Sequence, residues 1–203
     1  MHPRLKLVVV AVFAGTFAAL AGIWIAALQD GGGGSVAAAP AGEMSGHTRP
    51  PGAHVPDYRL RDADGRIATP ADHRGQVAIY AFVYAACEDV CPLEVQQIRG
   101  ALDDLGRDLP VVAVSVDPDG DTPRRARNFM LDQRMTGRMR YLLGSREQLE
   151  PVWRAFGIAP QGSPGDHSAY VVVVDGAGRQ RLGYPVSQLS VAGLARDLAR
   201  LTA

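Results

Sequence analysis

Three nearly continuous apolar runs constrain the fold more than any other feature of this chain. They read VAIYAFVY at 77–84, VVAVSV at 111–116 and AYVVVV at 169–174. Short runs without polar alternation are typical of strands that are buried on both faces of a sheet. The chain therefore predicts an α/β domain in which helices cover a central sheet.

The segments between and after these runs have the periodicity and the end signals of helices. Four helices are expected: around Ile98–Leu105, from Thr122-Pro123 through Phe129, from the Ser145/Gln148 capping box to Phe156, and from Ser190 onward. Pro151 conflicts with the third helix and predicts a kink or a late start. Short strands are expected around the turn at Asp64-Gly65, at MRYLL and at RQRLGY. This order is the layout of a thioredoxin-like fold, a central mixed sheet flanked by helices.

The N-terminal part is organised differently from the rest of the chain. Residues 1–6 are a short basic segment, and residues 7–28 are apolar and without charge. That length is close to the ~20 residues that cross a bilayer as a helix, and preceding basic residues favour a cytoplasmic N-terminus. We expect a transmembrane anchor in the cell membrane, crossing once, with the folded domain on the extracytoplasmic side. Small residues at 36–41 could serve a signal peptidase, so a cleaved signal segment is the alternative.

A linker is expected between this anchor and the folded domain. Residues 29–56 are rich in Gly, Ala and Pro and show no apolar period, which predicts flexibility. Met44, His47 and His54 lie there and could contact a metal, although linker residues without fixed geometry are the more ordinary interpretation. The folded domain is then expected to cover residues 57–203.

The two cysteines of the chain, Cys87 and Cys91, lie four positions apart, between the first apolar run and Pro92. Outside the cytoplasm they could form a structural disulfide, but so short a loop restrains the unfolded chain little and would stabilise weakly. The alternatives are a redox-active dithiol and a pair of metal ligands, since thiolates are soft donors that suit Cu(I). On a helical turn, this spacing places both sulfurs on one face.

Three segments taken together resemble a known family. They are CEDVCP at 87–92, VSVDPDGDTP at 114–123 and DHSAYVVVVDGAGR at 166–179. Their order and spacing resemble the Sco/SenC family of copper-binding, thioredoxin-like proteins. The resemblance implies that Cys87, Cys91 and His167 bind one copper ion, as Cu(I) or Cu(II).

The resemblance also implies a function. It suggests a metallochaperone more than an enzyme, one that assists assembly of the copper site of a respiratory cytochrome c oxidase. The expected partners are an oxidase subunit or another copper chaperone. Two positions depart from the family pattern: Ala85-Ala86 replace the usual Thr-His, and Glu88 replaces the usual proline. Neither position is a ligand in that pattern, but we expect a looser loop with altered copper affinity and redox potential.

Three other functions or sites are alternatives to copper binding. A thiol–disulfide oxidoreductase that keeps partner cysteines reduced needs only the redox pair Cys87 and Cys91, and His167 is the residue that separates the two functions. A peroxidase of the peroxiredoxin type would need threonine where Tyr84 stands. A structural zinc site would need four ligands. The formal net charge of zero leaves no basic surface for nucleic acid.

Several polar residues near these motifs have expected supporting roles. Asp166 could orient the ring of His167, and Asp89 could bind or orient the site. Asp117 and Asp121 could also bind or orient the site, but a role in capping the helix that begins at Pro123 is the expectation. His73 is expected in an exposed turn.

Overall fold

The computed structural model describes residues 43–160 and 169–203. Within these two ranges, no helix has the length and apolar character needed to cross a membrane. The anchor expected at 7–28 and the expected ligand His167 both lie outside the described residues.

The described chain forms eight strands and four α-helices. The strands are β1 (His47–Thr48), β2 (Leu60–Asp62), β3 (Ile67–Ala68), β4 (Ala78–Val83), β5 (Val111–Ser115), β6 (Met139–Leu143), β7 (Tyr170–Val174) and β8 (Gln180–Pro185). The helices are α1 (Val90–Leu105), α2 (Pro123–Asp132), α3 (Arg146–Phe156) and α4 (Val191–Leu201).

All eight strands belong to one mixed sheet with the order β1-β8-β7-β4-β5-β6-β2-β3. β4, β5 and β6 run parallel, and β7 pairs with the other side of β4 in the antiparallel sense. The three apolar runs therefore form the three adjacent central strands, as the sequence predicts. Every residue of β4 and β5 is buried.

Helices cover both faces of the sheet. One core cluster joins buried residues of α1, α2 and α4 to one face, among them Val95, Phe129 and Leu198. The other cluster packs α3 on the opposite face through Leu149, Trp153 and their neighbours. The Trp153 indole also donates a hydrogen bond to the Ser115 carbonyl at 2.9 Å, which fixes α3 to the end of β5.

The helix ends follow the capping signals of the sequence. The Ser145 hydroxyl accepts a hydrogen bond from the Gln148 N–H, and the Gln148 side chain accepts one from the Ser145 N–H, which completes the expected capping box. α3 begins at Arg146, so the late start suggested by Pro151 is wrong. Gly106 and Gly157 end α1 and α3 in the left-handed conformation that glycine adopts without a Cβ penalty.

Residues 43–56, which the sequence assigns to the linker, lie against the domain as an N-terminal strap. β1 in this strap pairs antiparallel with β8. One oxygen of the buried Asp197 carboxylate accepts hydrogen bonds from the N–H groups of Ser45 and Gly46, at 2.6 and 2.9 Å, and from the Tyr184 hydroxyl, at 2.8 Å. The backbone packs so closely that a Cβ on Gly46 would lie 2.5 Å from the Tyr184 ring. The described domain thus begins before Asp57.

The strap makes a testable contribution to stability. Replacing Asp197 by alanine leaves a partly buried N–H, a buried N–H and a buried hydroxyl without their acceptor, at about 1–3 kcal/mol for each unsatisfied buried group. We expect Asp197→Ala to lower the free energy of unfolding by ~3 kcal/mol or more in urea denaturation followed by circular dichroism. The exposed Asp132 on α2 supplies the control, and Asp132→Ala should stay within about 0.5 kcal/mol of the parent. Equal stability of the two variants would show that the strap is not held by Asp197.

Candidate metal and redox site

The cysteine segment lies where two parallel strands end. β4 ends at Val83 and β5 ends at Ser115, directly opposite one another in the parallel register. β7 runs antiparallel to β4, so it begins at the same edge of the sheet. The loop from β4 to α1 contains Cys87, and the first turn of α1 contains Cys91. Loops after adjacent parallel strands converge in this way, and α/β proteins commonly place their sites there.

The two sulfurs are adjacent and reduced. The backbone N–H of Cys91 donates a hydrogen bond to the Cys87 sulfur at 3.3 Å, and both cysteines are free thiols. The Cys87 N–H in turn donates to the Tyr84 carbonyl at 3.1 Å, which closes the loop before the helix. Cys91 is completely buried, whereas Cys87 keeps 6 % of its surface exposed. An external reactant therefore reaches Cys87 first.

The two thiols differ in acidity. Burial raises the pKa of Cys87, but hydrogen bonds from the Cys91 thiol, from the N–H groups of Cys91 and Asp89, and from the Tyr84 side chain outweigh burial, so this pKa is lowered. Burial raises the pKa of Cys91, and its hydrogen bond to the Cys87 sulfur and the charge of Glu94 raise it further. The helix N-terminus adds a positive field that favours a thiolate at Cys87. Cys87 is therefore the more acidic thiol of the pair.

Asp121 supports the cysteine loop from the segment between β5 and α2. Its carboxylate accepts hydrogen bonds from the Ala85 N–H at 2.8 Å, the Ser115 hydroxyl at 2.6 Å and the Tyr141 hydroxyl at 2.8 Å. Burial raises the pKa of Asp121, although the three hydrogen bonds lower it. This single carboxylate connects the cysteine loop, β5 and β6.

The expected capping role of Asp117 and Asp121 is wrong. Thr122 caps α2, since its hydroxyl accepts the Arg125 N–H at 3.2 Å. Asp117 instead accepts the Gly120 N–H within its own turn. The sequence shows Thr122 in the cap position before Pro123, but it does not show that Asp121 reaches the cysteine loop, because Ala85 and Asp121 are 36 residues apart.

Glu94 is a functional candidate that the sequence analysis missed. It lies one turn after Cys91 on α1, is completely buried, and neither carboxylate oxygen has a hydrogen-bond partner among the described residues. Burial raises the pKa of Glu94 to about 8; the Phe82 N–H lowers it in part, and the charge of Cys87 raises it. Extending the apolar period of α1 backward from Ile98 through Val95 to Cys91 would have placed position 94 on the buried face.

The remaining expected residues fall into three groups. His167 and Asp166 lie outside the described residues. Met44, His47 and His54 belong to the strap, where the His47 ring contacts the Gln188 side chain at 2.6 Å and His54 is exposed. His73 is half-buried in a 3₁₀ turn rather than fully exposed, and burial lowers its pKa.

No three His, Cys, Asp or Glu side chains in residues 43–160 and 169–203 converge to hold a metal ion. Cys87 and Cys91 are thus the two soft donors that the described residues bring together. At the departures from the family pattern, Glu88 and Ala86 are both exposed beside the cysteines. Asp89 is the N-cap residue of α1 but makes no side-chain capping bond.

Comparison with known proteins bears on this arrangement. The family model described as SCO1/SenC matches residues 46–203, most of the chain. The chain belongs to the SCO1/SenC family. The resemblance seen in the sequence is therefore confirmed, and this SCO1/SenC domain includes most of the N-terminal strap.

Curated relatives and solved structures agree with that assignment. The chain is 30 % identical over 122 residues to the mitochondrial protein SCO2 homolog of Bos taurus, covering 58 % of this chain and 45 % of the relative. The chain thus spans less than half the length of this relative. A solved structure of ScoI from Bradyrhizobium japonicum with copper bound has a TM-score of 0.62 at 24 % identity, covering 73 % of this chain and 99 % of that one.

A second solved structure shares the fold. This structure is BsSco, a member of the Sco family of cytochrome c oxidase assembly proteins in which a disulfide switch was identified. Its TM-score is 0.66 at 19 % identity, covering 76 % of this chain and 96 % of that one. At these identities the two structures show the fold, which confirms the expected mixed sheet flanked by helices.

The Asp121 network predicts a difference between two neighbouring aspartates. Asp121→Ala removes the acceptor of one loop N–H and two hydroxyls, and should lower the free energy of unfolding by ~3 kcal/mol. Asp117→Ala loses only a contact within its own turn and should cost ~1 kcal/mol or less. Urea unfolding of the two reduced variants measures both values. Equal losses would contradict the central position of Asp121 in the support of the cysteine loop.

Proposed function

We propose that this SCO1/SenC protein binds copper at Cys87, Cys91 and His167 and passes it to the copper site of a cytochrome c oxidase. The observation that supports this function most strongly is the pair of adjacent free thiols at the start of α1, in a family whose members include copper-bound structures. Copper is the cargo in this proposal, so its binding must be reversible.

The donor chemistry of the described site fits this cargo. Two thiolates are soft ligands that favour Cu(I), and an imidazole accepts both copper states. A site with few ligands leaves room for the donor groups of a recipient protein. Cys91 must lose its proton to become a ligand, and its pKa is raised by burial. Copper affinity should therefore fall as the pH is lowered, because protons compete for the sulfurs.

His167 is proposed as the third ligand on two grounds. It precedes Tyr170, the first residue of β7, by three positions, and β7 begins at the same edge of the sheet as the cysteine loop. The family resemblance of DHSAY at 166–170 supports the same assignment. Asp166, the preceding residue, is proposed to orient the imidazole.

A membrane location is part of the proposal and is supported by sequence alone. The uncharged apolar segment at 7–28 is long enough to span a bilayer. Anchored there, the domain would receive and deliver copper on the extracytoplasmic side, with an oxidase subunit or another copper chaperone as its partner.

The proposed copper site is tested by replacing His167. Reduced full-length protein is titrated with Cu(I) against a chromogenic chelator, and with Cu(II) by visible absorption. His167→Ala should still bind Cu(I) through two sulfurs, but with an affinity lower by roughly tenfold or more. Mutation of a residue that only supports a metal ligand already lowers metal affinity by about tenfold or more. Cu(II) binding should suffer more, because Cu(II) favours nitrogen and oxygen donors.

Matched variants complete this test. His54→Ala removes an exposed histidine of the strap and should bind both copper states like the parent. Cys87→Ala, Cys91→Ala and the oxidised parent should all lose tight Cu(I) binding. If His167→Ala behaves like His54→Ala, the three-residue copper site is wrong.

A thiol–disulfide reductase is the second candidate function, favoured by the unequal acidity of the two thiols. Cys87 has the lowered pKa and the residual exposure that suit an attacking thiolate. Cys91 is buried beside it and suits the resolving thiol. Cysteines at this separation can form a disulfide, so the pair could keep the cysteines of a partner reduced.

A further inference from the structure

A surface groove between α2 and the hairpin of β2 and β3 has no part in the functions proposed above. Its volume is about 670 Å³, which is within the range of ligand sites. Its walls are largely apolar and include Ile67, Met130, Met139 and Tyr141. Leu131 lies at the edge of the groove with 65 % of its surface exposed. A continuous apolar surface of this kind, bordered by polar residues, is typical of an interaction site.

The border of the groove is basic. Arg66 and Arg127 line it, and the Arg127 guanidinium donates a hydrogen bond to a backbone carbonyl, which leaves its positive charge without a neutralising carboxylate. Asp62 also lines the groove, but it is ion-paired with Arg140 at 3.0 Å. Along and just after α2, residues 123–134 contain four arginines and a single acidic residue. The groove therefore suits an occupant that is both apolar and acidic.

The groove is connected to the cysteine loop. The ring of Tyr141 lines the groove, and its hydroxyl donates to Asp121 at 2.8 Å, while the same carboxylate accepts the Ala85 N–H. α2 begins at Pro123, directly after this network, and a helix of ten residues spans ~15 Å. A standard interface covers about 800 Å² on each partner. One partner can therefore fill the groove and reach Cys87 at the same time.

The parts of this chain outside the described residues do not have the composition that fits the groove. Residues 1–42 include the apolar segment but contain a single acidic residue, Asp30. Residues 161–168 contain no large apolar side chain. The composition of these segments therefore favours an occupant from another molecule.

We propose that this groove docks an acidic segment of the protein that receives the copper. One or two large apolar side chains of that segment would lie in the groove, and neighbouring carboxylates would pair with Arg66 and Arg127. The inference rests on the proposed delivery function, because a copper carrier must hold its recipient while Cys87 is within reach. Charged groups at the border of an interface increase specificity and the rate of association. The groove thus selects the partner, whereas the cysteines bind the metal.

The test uses the methionine methyl groups as reporters. Full-length reduced protein with isotope-labelled methionine is held in phosphatidylcholine nanodiscs without copper and titrated with the peptide acetyl-Glu-Asp-Leu-Phe-Asp-Glu-amide. The NMR signals of Met130 and Met139 should shift and approach saturation, with a dissociation constant near or below ~1 mM. The signal of Met44, which lies in the strap, should stay in place.

Two control peptides separate the apolar contribution from the charge. The peptide acetyl-Glu-Asp-Ser-Ser-Asp-Glu-amide keeps the carboxylates and loses the apolar side chains. The peptide acetyl-Lys-Arg-Leu-Phe-Arg-Lys-amide keeps the apolar side chains and reverses the charge. Each control should bind roughly tenfold or more weakly than the acidic apolar peptide, because each lacks one of the two contributions.

Matched variants of the protein locate the binding site. Leu131→Ala should weaken binding of the acidic apolar peptide about fivefold, whereas Leu93→Ala, which shortens an exposed leucine on α1, should leave it unchanged. Arg66→Gln should weaken binding about threefold, as loss of an exposed ion pair does. Arg154→Gln removes an exposed arginine of α3, on the opposite face of the sheet, and should have no effect.

Each result bears on the inference. Unshifted signals of Met130 and Met139 at ~1 mM peptide, or equal binding of the acidic and the basic peptide, overturn it. Shifts that depend on protein concentration in the absence of peptide also overturn it, because a second copy of this chain would then occupy the groove. The titration contains no copper, so its failure leaves the copper site unaffected. If His167→Ala contradicts the copper site while the peptide still binds, the groove is a docking site for a partner other than a copper recipient.

Discussion

The hydrogen bond from the Cys91 N–H to the Cys87 sulfur is the interaction on which the chemistry of this domain depends. At 3.3 Å it holds one sulfur over the first turn of α1, where unpaired N–H groups and the helix dipole favour negative charge. The parallel pair β4 and β5 places that turn at the sheet edge, and Asp121 ties the preceding loop to the neighbouring strand. The sheet thus determines where the sulfurs are, and burial together with hydrogen bonds makes Cys87 the more acidic of the two.

The resulting difference in acidity between the two thiols serves both proposed functions. A thiolate at Cys87 can bind incoming copper or attack a disulfide without first losing a proton. Cys91 must lose its proton before it can bind a metal or attack a mixed disulfide, which makes both processes sensitive to pH. The same pair can therefore carry copper when reduced and lose it when oxidised. In our proposal His167 is the residue that distinguishes the copper function from the thiol function.

Local signals in the sequence predicted most of the fold but little of the support around the site. The apolar runs gave the three central strands, and Ser145 with Gln148 fixed the start of α3, because burial and capping are encoded within a few residues. The sequence predicts a linker where the structure has the strap, because the contacts that hold the strap are distant in sequence. Gly46 contacts Tyr184 and Asp197, and Asp197 lies 151 residues further along the chain. Asp121 was misassigned because its hydrogen-bond partners lie on other elements. Glu94, by contrast, is marked by its position within the apolar period of α1. The cysteine pair was found because its spacing and its neighbours resemble a known family.

Thiol titration measures the difference in pKa between Cys87 and Cys91 directly. The absorbance of thiolate near 240 nm is followed against pH in full-length Cys91→Ser, which keeps Cys87, and in Cys87→Ser, which keeps Cys91. An unperturbed thiol ionises near pH ~8.5. Cys87 should titrate below that value and Cys91 above it, as their hydrogen bonds and burial require. Titration of both thiols at the same pH, or in the reverse order, would contradict the assignment of Cys87 as the more acidic thiol.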